Sequence, residues 1–173
     1  MRRVRTDEGG FGLIELLIAM TVLTIGILAI VAGFSSAAAA LVRANRIGTA
    51  AVVSDRQMEL YRAVGYTEIG LDSVTENTAA ATAPYNTDSA FVADAAGDNK
   101  VDDLICPDDR CKASDDRPGP DGRTYRVDTY IVLVKPAGDS GRQVKQVTVV
   151  VRDVDDGLKE LARQVSTFDS LTR

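Results

Sequence analysis

The sequence predicts an α+β fold in which a long N-terminal helix is laid on a small antiparallel sheet. Three observations carry that prediction. An apolar stretch of 24 residues, Phe11 to Phe34, stands near the amino terminus and holds a single ionisable residue. A proline-free run rich in helix formers continues it from Ser35 to Val64. Towards the carboxy terminus, β-branched and aromatic residues gather in short runs separated by turn residues. The 173 residues suffice for one membrane helix and one head of ordinary domain size.

The first ten residues form a basic leader, with Arg2, Arg3 and Arg5 ahead of Gly9-Gly10. Positive charge before an apolar span predicts a leader held on the cytoplasmic side and translocation of the chain beyond the span. As a helix, residues 11–34 reach about 36 Å at roughly 1.5 Å per residue, enough to cross a bilayer core of about 30 Å. A cleaved secretory signal is the competing reading, with its cut at the small residues Ala37 to Ala40. The length of the apolar run and the acid inside it favour a retained anchor. That acid is Glu15. An ionisable side chain in lipid is disfavoured by about 2.5 kcal/mol or more near the bilayer centre, so it calls for a partner or a function.

The run Gly10-Phe11-Gly12-Leu13-Ile14-Glu15-Leu16 resembles the processing and methylation motif of type IV prepilins and type II secretion pseudopilins. The resemblance covers about 12 residues and joins sequence, leader charge, span length and position. Gly12 departs from the hydroxyl residue usual in the family. The likeness implies that a prepilin peptidase cuts after Gly10 and methylates the new amino terminus at Phe11. It also implies that Glu15 sets axial register by meeting the Phe11 amine of a neighbouring pilin or pseudopilin subunit. The partners it implies are therefore that peptidase, other subunits of the filament, and the membrane. The head would be extracytoplasmic and the span would lie in the cytoplasmic membrane until assembly into a surface or periplasmic filament. Within one chain, an acid in the first turn is favourable to the helix start in any case.

Residues 35–64 are expected to extend the span as an amphipathic helix, giving about 54 helical residues in all. On a helical wheel Val42, Val53, Leu60 and Val64 cluster, with Tyr61 flanking, while Asp55, Arg56, Glu59 and Arg62 lie opposite. Gly65 is the expected stop. Gly26 and Gly33 are read as close-packing positions rather than hinges.

Residues 65–123 read as an irregular acidic region with short elements at most. Thr75 to Thr87 is rich in Thr, Ala and Asn, and Gly97 to Gly122 holds eight aspartates and three prolines. Asp98, Asp102, Asp103, Asp108 and Asp109 are weak candidates for calcium ligands, since the run lacks the alternation and terminal Glu of an EF-hand loop. A solvated acidic loop is the simpler reading. Cys106 and Cys111 are candidates for a disulfide on the translocated side. Free thiols remain an alternative, and a zinc site would need two more ligands that the surrounding aspartates suit poorly.

Residues 124–173 carry the sheet. Tyr125 to Lys135 is a strong strand, and Val144 to Arg152 alternates, with Val147, Val149 and Val151 on one face and Gln146, Thr148 and Arg152 on the other. Leu161 to Phe168 fits a third strand or a terminal helical turn. The apolar face of two or three antiparallel strands needs a cover, and the upper helix supplies it.

An enzyme is not expected. The chain has no histidine, which removes the commonest general base and the commonest zinc ligand. No Gly-rich phosphate loop occurs, and no cofactor is implied. Cleavage after Gly10 would remove a net charge of +1 and take the formal charge from −5 to −6, so nucleic acid is not an expected partner. The function implied is a structural subunit of a type IV pilus or type II secretion pseudopilus. The alternative is a single-pass anchored extracytoplasmic binding domain, an adhesin or sensor.

Overall fold

The computed structural model describes residues 12–93, 109–134 and 142–170. Helix α1 spans Leu13–Arg62, α2 spans Ser73–Ala80, and four strands follow: β1 (Ser114–Pro118), β2 (Thr124–Val134), β3 (Val144–Asp153) and β4 (Lys159–Asp169). All neighbouring strands are antiparallel, in the order β1-β2-β3-β4. The long helix and antiparallel sheet are the α+β arrangement expected. The chain divides into two compact units, Met1–Ala44 and Asn45–Arg173.

In the second unit, the last four turns of α1 bury Ala50, Val53, Gln57, Met58 and Tyr61. Asp55, Arg56, Glu59 and Arg62 stay exposed, as the wheel requires. The buried stripe is turned from the one predicted: Val42 is exposed and Leu60 only half-buried. Polar residues mask it, because Thr49, Ser54 and Gln57 lie on the buried face and are invisible to an apolar count. Gly65 does not end the helix as a left-handed cap. The last helical residue is Arg62, and Gly65 is extended at φ −70 and ψ 154.

Cross-strand pairs define the helix-facing side of the sheet: Val127 with Val151, Thr129 with Val149, and Ile131 with Val147. Ser54 Oγ donates to Gln164 Oε1 at 3.2 Å and Arg46 pairs with Asp153 at 2.9 Å, seating this part of α1 on that face. Each fully buried valine here contributes about 1.5–3 kcal/mol relative to an exposed one. Tyr61 donates to the Arg110 carbonyl at 2.7 Å, and its burial pushes the phenol up to about 12, so it remains a donor.

The opposite face is covered too, which alternation alone did not predict. Thr148, Val150 and Arg152 are all buried. Residues beyond α2 cross that face: Tyr85 stacks on Tyr130 with ring centroids 4.4 Å apart and donates to the Thr129 carbonyl at 2.8 Å. A sheet covered on both sides reads as a continuous apolar run, as Val147–Val151 nearly does.

Within the stretch read as irregular, α2 and β1 stand beside three 3-10 turns, Tyr66–Glu68, Tyr85–Thr87 and Asp109–Cys111. Asp72 caps α2 by accepting from the Thr75 amide at 3.0 Å. Strand β1, Ser-Asp-Asp-Arg-Pro, has little strand propensity, yet it joins the sheet by pairing Ser114–Pro118 with Thr124–Asp128. Its turn into β2 depends on two glycines. Gly122 has φ +75, and a Cβ on Gly119 would fall 2.5 Å from the Tyr125 ring. The sheet therefore has four strands where the sequence predicted two or three, and Lys159–Asp169 takes the strand option over the helical turn.

Asp88 ties the crossing segment down. Its carboxylate accepts from Arg163 at 2.8 and 3.0 Å and pairs with Arg152. Burial alone would raise its pKa, but the Arg163 and Arg152 guanidinium groups outweigh it and hold the carboxyl below its usual range. With the folded pKa below the unfolded value, Asp88 stabilises the head above the unfolded pKa of about 3.9 and loses that contribution as pH falls through the folded pKa. Urea unfolding of wild type and Asp88→Asn should accordingly differ clearly at pH 7 and converge in strong acid. Parallel pH profiles for the two proteins would refute this role.

Candidate functional site

The first unit carries the candidate assembly site. From Leu13 to Val42 its helix is exposed on every side, and the apolar side chains lie open (Leu13 84% and Phe34 73% exposed). Mean hydropathy reaches 2.6 over an 18-residue window, and none of that window is buried. Three hydroxyl residues of the segment are satisfied within the helix itself. Thr21 donates to the Leu17 and Ile18 carbonyls at 2.9 and 2.8 Å, Thr24 to Met20 at 2.7 Å, and Ser35 to Val31 at 3.0 Å. Such back-bonding removes the desolvation cost of a hydroxyl in an apolar medium. The helix is long and apolar enough to cross a membrane.

Glu15 is the exception. It occupies the first turn, where its amide donates to the Gly12 carbonyl at 3.0 Å. Its carboxylate makes no ion pair with any described residue and is exposed among leucines and isoleucines. A carboxylate on a lipid-ready helix is costly in an apolar medium without a counter-charge. Gly10 and Phe11, the residues expected at a processing junction, lie outside the described residues. The helix runs through Gly26 and Gly33 without interruption, and nothing stands within 4 Å of a Cβ built at either. Both positions offer a smooth surface to an approaching helix.

Residues 5–31 match the family model of the prokaryotic N-terminal methylation motif. The chain carries a type IV prepilin-like signal. This prepilin-like signal spans Gly10, Phe11, Glu15 and most of the apolar stretch, and it supports a type IV pilin-like precursor. A single-pass membrane anchor suits both. The match ends at residue 31, so it says nothing of the head. No curated protein and no solved structure matches the chain.

The remaining sequence-derived residues lie apart from the stem. Cys111 ends a short 3-10 turn, Asp109–Cys111, and is disulfide-bonded. That turn docks α1 and α2, because the Arg110 carbonyl accepts from Gln57 and Tyr61, and the Cys111 carbonyl accepts from the Asp72 amide at 2.9 Å. Cys106, Asp98, Asp102, Asp103 and Asp108 lie outside the described residues. Asp109 opens the turn, and among the described residues no group of three or more acidic or cysteine side chains could hold a metal ion.

Sequence reasoning missed the head's ionic centre. Asp128, fully buried, accepts from Arg152 Nε at 2.9 Å and Ser114 Oγ at 2.5 Å, and Arg152 also holds Asp88. A lone Asp inside the apolar run Tyr125–Val134, and an arginine ending the Val147–Val151 run, were the available signals. Lys145 was equally hidden. Buried on β3, it donates to the Tyr66 and Ile69 carbonyls at 2.8 and 2.6 Å and sits 4.7 Å from the Tyr66 ring centre, pinning the chain that leaves α1.

Proposed function

We propose that this chain is a structural subunit of a type IV pilus or type II secretion pseudopilus, built as a prepilin and assembled through α1. The observation that supports this best is the methylation motif at residues 5–31 on a helix whose first 30 residues bury nothing within their own chain. A prepilin peptidase cuts after Gly10 and methylates the Phe11 amine. The chain waits in the cytoplasmic membrane with its head on the extracytoplasmic side, as the basic leader directs. During assembly the Glu15 carboxylate meets the Phe11 amine of a neighbouring subunit. Opposite charges in an apolar medium are each costly alone, and pairing reduces both costs. One favourable axial offset between parallel helices results.

Mass spectrometry of the amino terminus, on protein taken from its native membrane, tests the processing step. An N-methylated Phe11 is the expected result. An intact Met1 would leave an anchored binding domain, and a terminus near Ala40 would mean a secreted head.

In this reading the head matures outside the cytoplasm, where Cys106 and Cys111 close a six-residue loop. Constraint of so short a loop in the unfolded chain stabilises by about 2 kcal/mol. Reduction should lower the urea midpoint by a corresponding amount and loosen the Arg110 carbonyl from Tyr61 and Gln57. Hydrogen exchange at Asp72, whose amide donates to Cys111, is the local readout. An unchanged midpoint would remove the stabilising role.

A further inference from the structure

Three threonines line one side of a cleft of about 550 Å³ between α2 and the sheet: Thr75, Thr78 and, just beyond the helix, Thr82. Ser114 of β1 and Arg126 of β2 line it as well, and Val74 and Ala79 give it apolar patches. Three threonines in so short a span are unfavourable to a helix.

The polar lining has a definite hydrogen-bond sense. Thr75 donates its hydroxyl hydrogen to the Asp72 carbonyl at 3.0 Å, Thr78 to Val74 at 2.9 Å, and Thr82 to Ala79 at 3.2 Å. Ser114 donates to Asp128 Oδ1 at 2.5 Å. Thr75 already accepts from the Ala113 amide at 3.3 Å and Ser114 from Arg126, so with their hydrogens engaged it is the Thr78 and Thr82 hydroxyls that meet a ligand as acceptors.

Arg126 supplies the opposite sense. Its Nε donates to Ser114 Oγ at 2.8 Å, which fixes the guanidinium plane. Its closest carboxylate, Asp128, is 3.5 Å from Nε and is itself held by Arg152 at 2.9 Å. No described residue hydrogen-bonds the two terminal nitrogens. The guanidinium also borders a smaller recess of about 280 Å³ that Asp115 and Asp116 line. Asp115 is already paired with Lys112 and Arg117, each at 3.5 Å.

We infer that this cleft binds a small polyhydroxylated carboxylate of the sugar-acid class. Its carboxylate takes the free edge of Arg126, whose fork matches two oxygens at once. Hydroxyls beside that carboxylate donate to Thr78 and Thr82, and the ligand's C–H face rests on Val74 and Ala79. A bare carboxylate leaves the threonine acceptors unused, and a neutral sugar leaves the guanidinium unused. The cleft volume lies within the usual range for small-molecule sites, about 300–1,000 Å³. The inference rests on the head alone, so it holds for a filament subunit and for an anchored domain alike.

Titration calorimetry of the full chain in detergent micelles, with glucuronate, glucose and acetate as separate probes, decides the matter. Glucuronate should bind saturably, with glucose and acetate each weaker by about tenfold or more, as loss of charge-assisted or paired hydrogen bonds requires. Arg126→Gln should weaken glucuronate by a similar factor. Thr78→Val, an isosteric change on an exposed helix position, should weaken it several-fold while leaving thermal unfolding unchanged. It decides the question should Arg126→Gln fail to fold. Absence of saturable glucuronate binding, equal binding of acetate, or Thr78→Val binding as wild type would each overturn the inference.

Discussion

Asp128→Ala is expected to destabilise the head by about 3–5 kcal/mol, a large share of a domain's total stability. Asp128 is wholly buried and serves Arg152 and Ser114 at once, with Arg126 a little farther off. Removing the carboxylate leaves Arg152 buried with only Asp88 as counter-charge, and Ser114 loses its acceptor. Unpaired buried charge is the expensive outcome, more than the loss of the bond itself. Urea denaturation at neutral pH measures the effect. The double variant Asp128→Leu/Arg152→Met should recover much of the loss, because replacing both ions with apolar groups avoids the desolvation cost. A loss below about 1 kcal/mol in the single variant would mean that the network is solvated in solution.

Glu15→Gln should leave processing largely intact and cut incorporation into filaments by at least about tenfold. This expectation belongs to the proposed assembly reading. Glutamine keeps the size and the helix of Glu15 while removing its charge, so cleavage at Gly10 and membrane retention by the apolar helix are spared. The Phe11 amine of the neighbouring subunit then loses its counter-charge in an apolar setting, at a cost of about 3–5 kcal/mol per contact. Immunoblots of sheared filaments against membrane fractions give the ratio directly. Equal incorporation of both proteins would sink the register role, whatever mass spectrometry finds at Phe11.

The stem was legible because its signals are local. Span, leader charge and the lone acid are properties of consecutive residues, and among the described residues none packs over the apolar helix from Leu13 to Val42. Strands β2 and β3 were legible for a related reason: Tyr125–Val134 and Val144–Asp153 are rich in β-branched residues with the right alternation. Long-range pairing hid the remaining parts. Strand β1 exists only because β2 presents an edge to it, and its own residues favour a loop. The crossing segment after α2 reads as a weakly patterned Thr- and Ala-rich stretch, and only Tyr85 on Tyr130 and Asp88 on two arginines give it a place.

By itself, then, the sequence determined the α+β class, the membrane-competent helix, the prepilin-like signal and the two central strands. Each arises from periodicity, charge order or propensity within about 30 neighbouring residues. Tertiary structure alone decided which stripe of α1 is buried, that both sheet faces are covered, and where Asp88, Asp128, Lys145 and Arg152 find partners. Those outcomes depend on contacts between residues 24 to more than 100 positions apart. A polar side chain looks the same in sequence whether water or a buried guanidinium receives it, and packing is what separates the two.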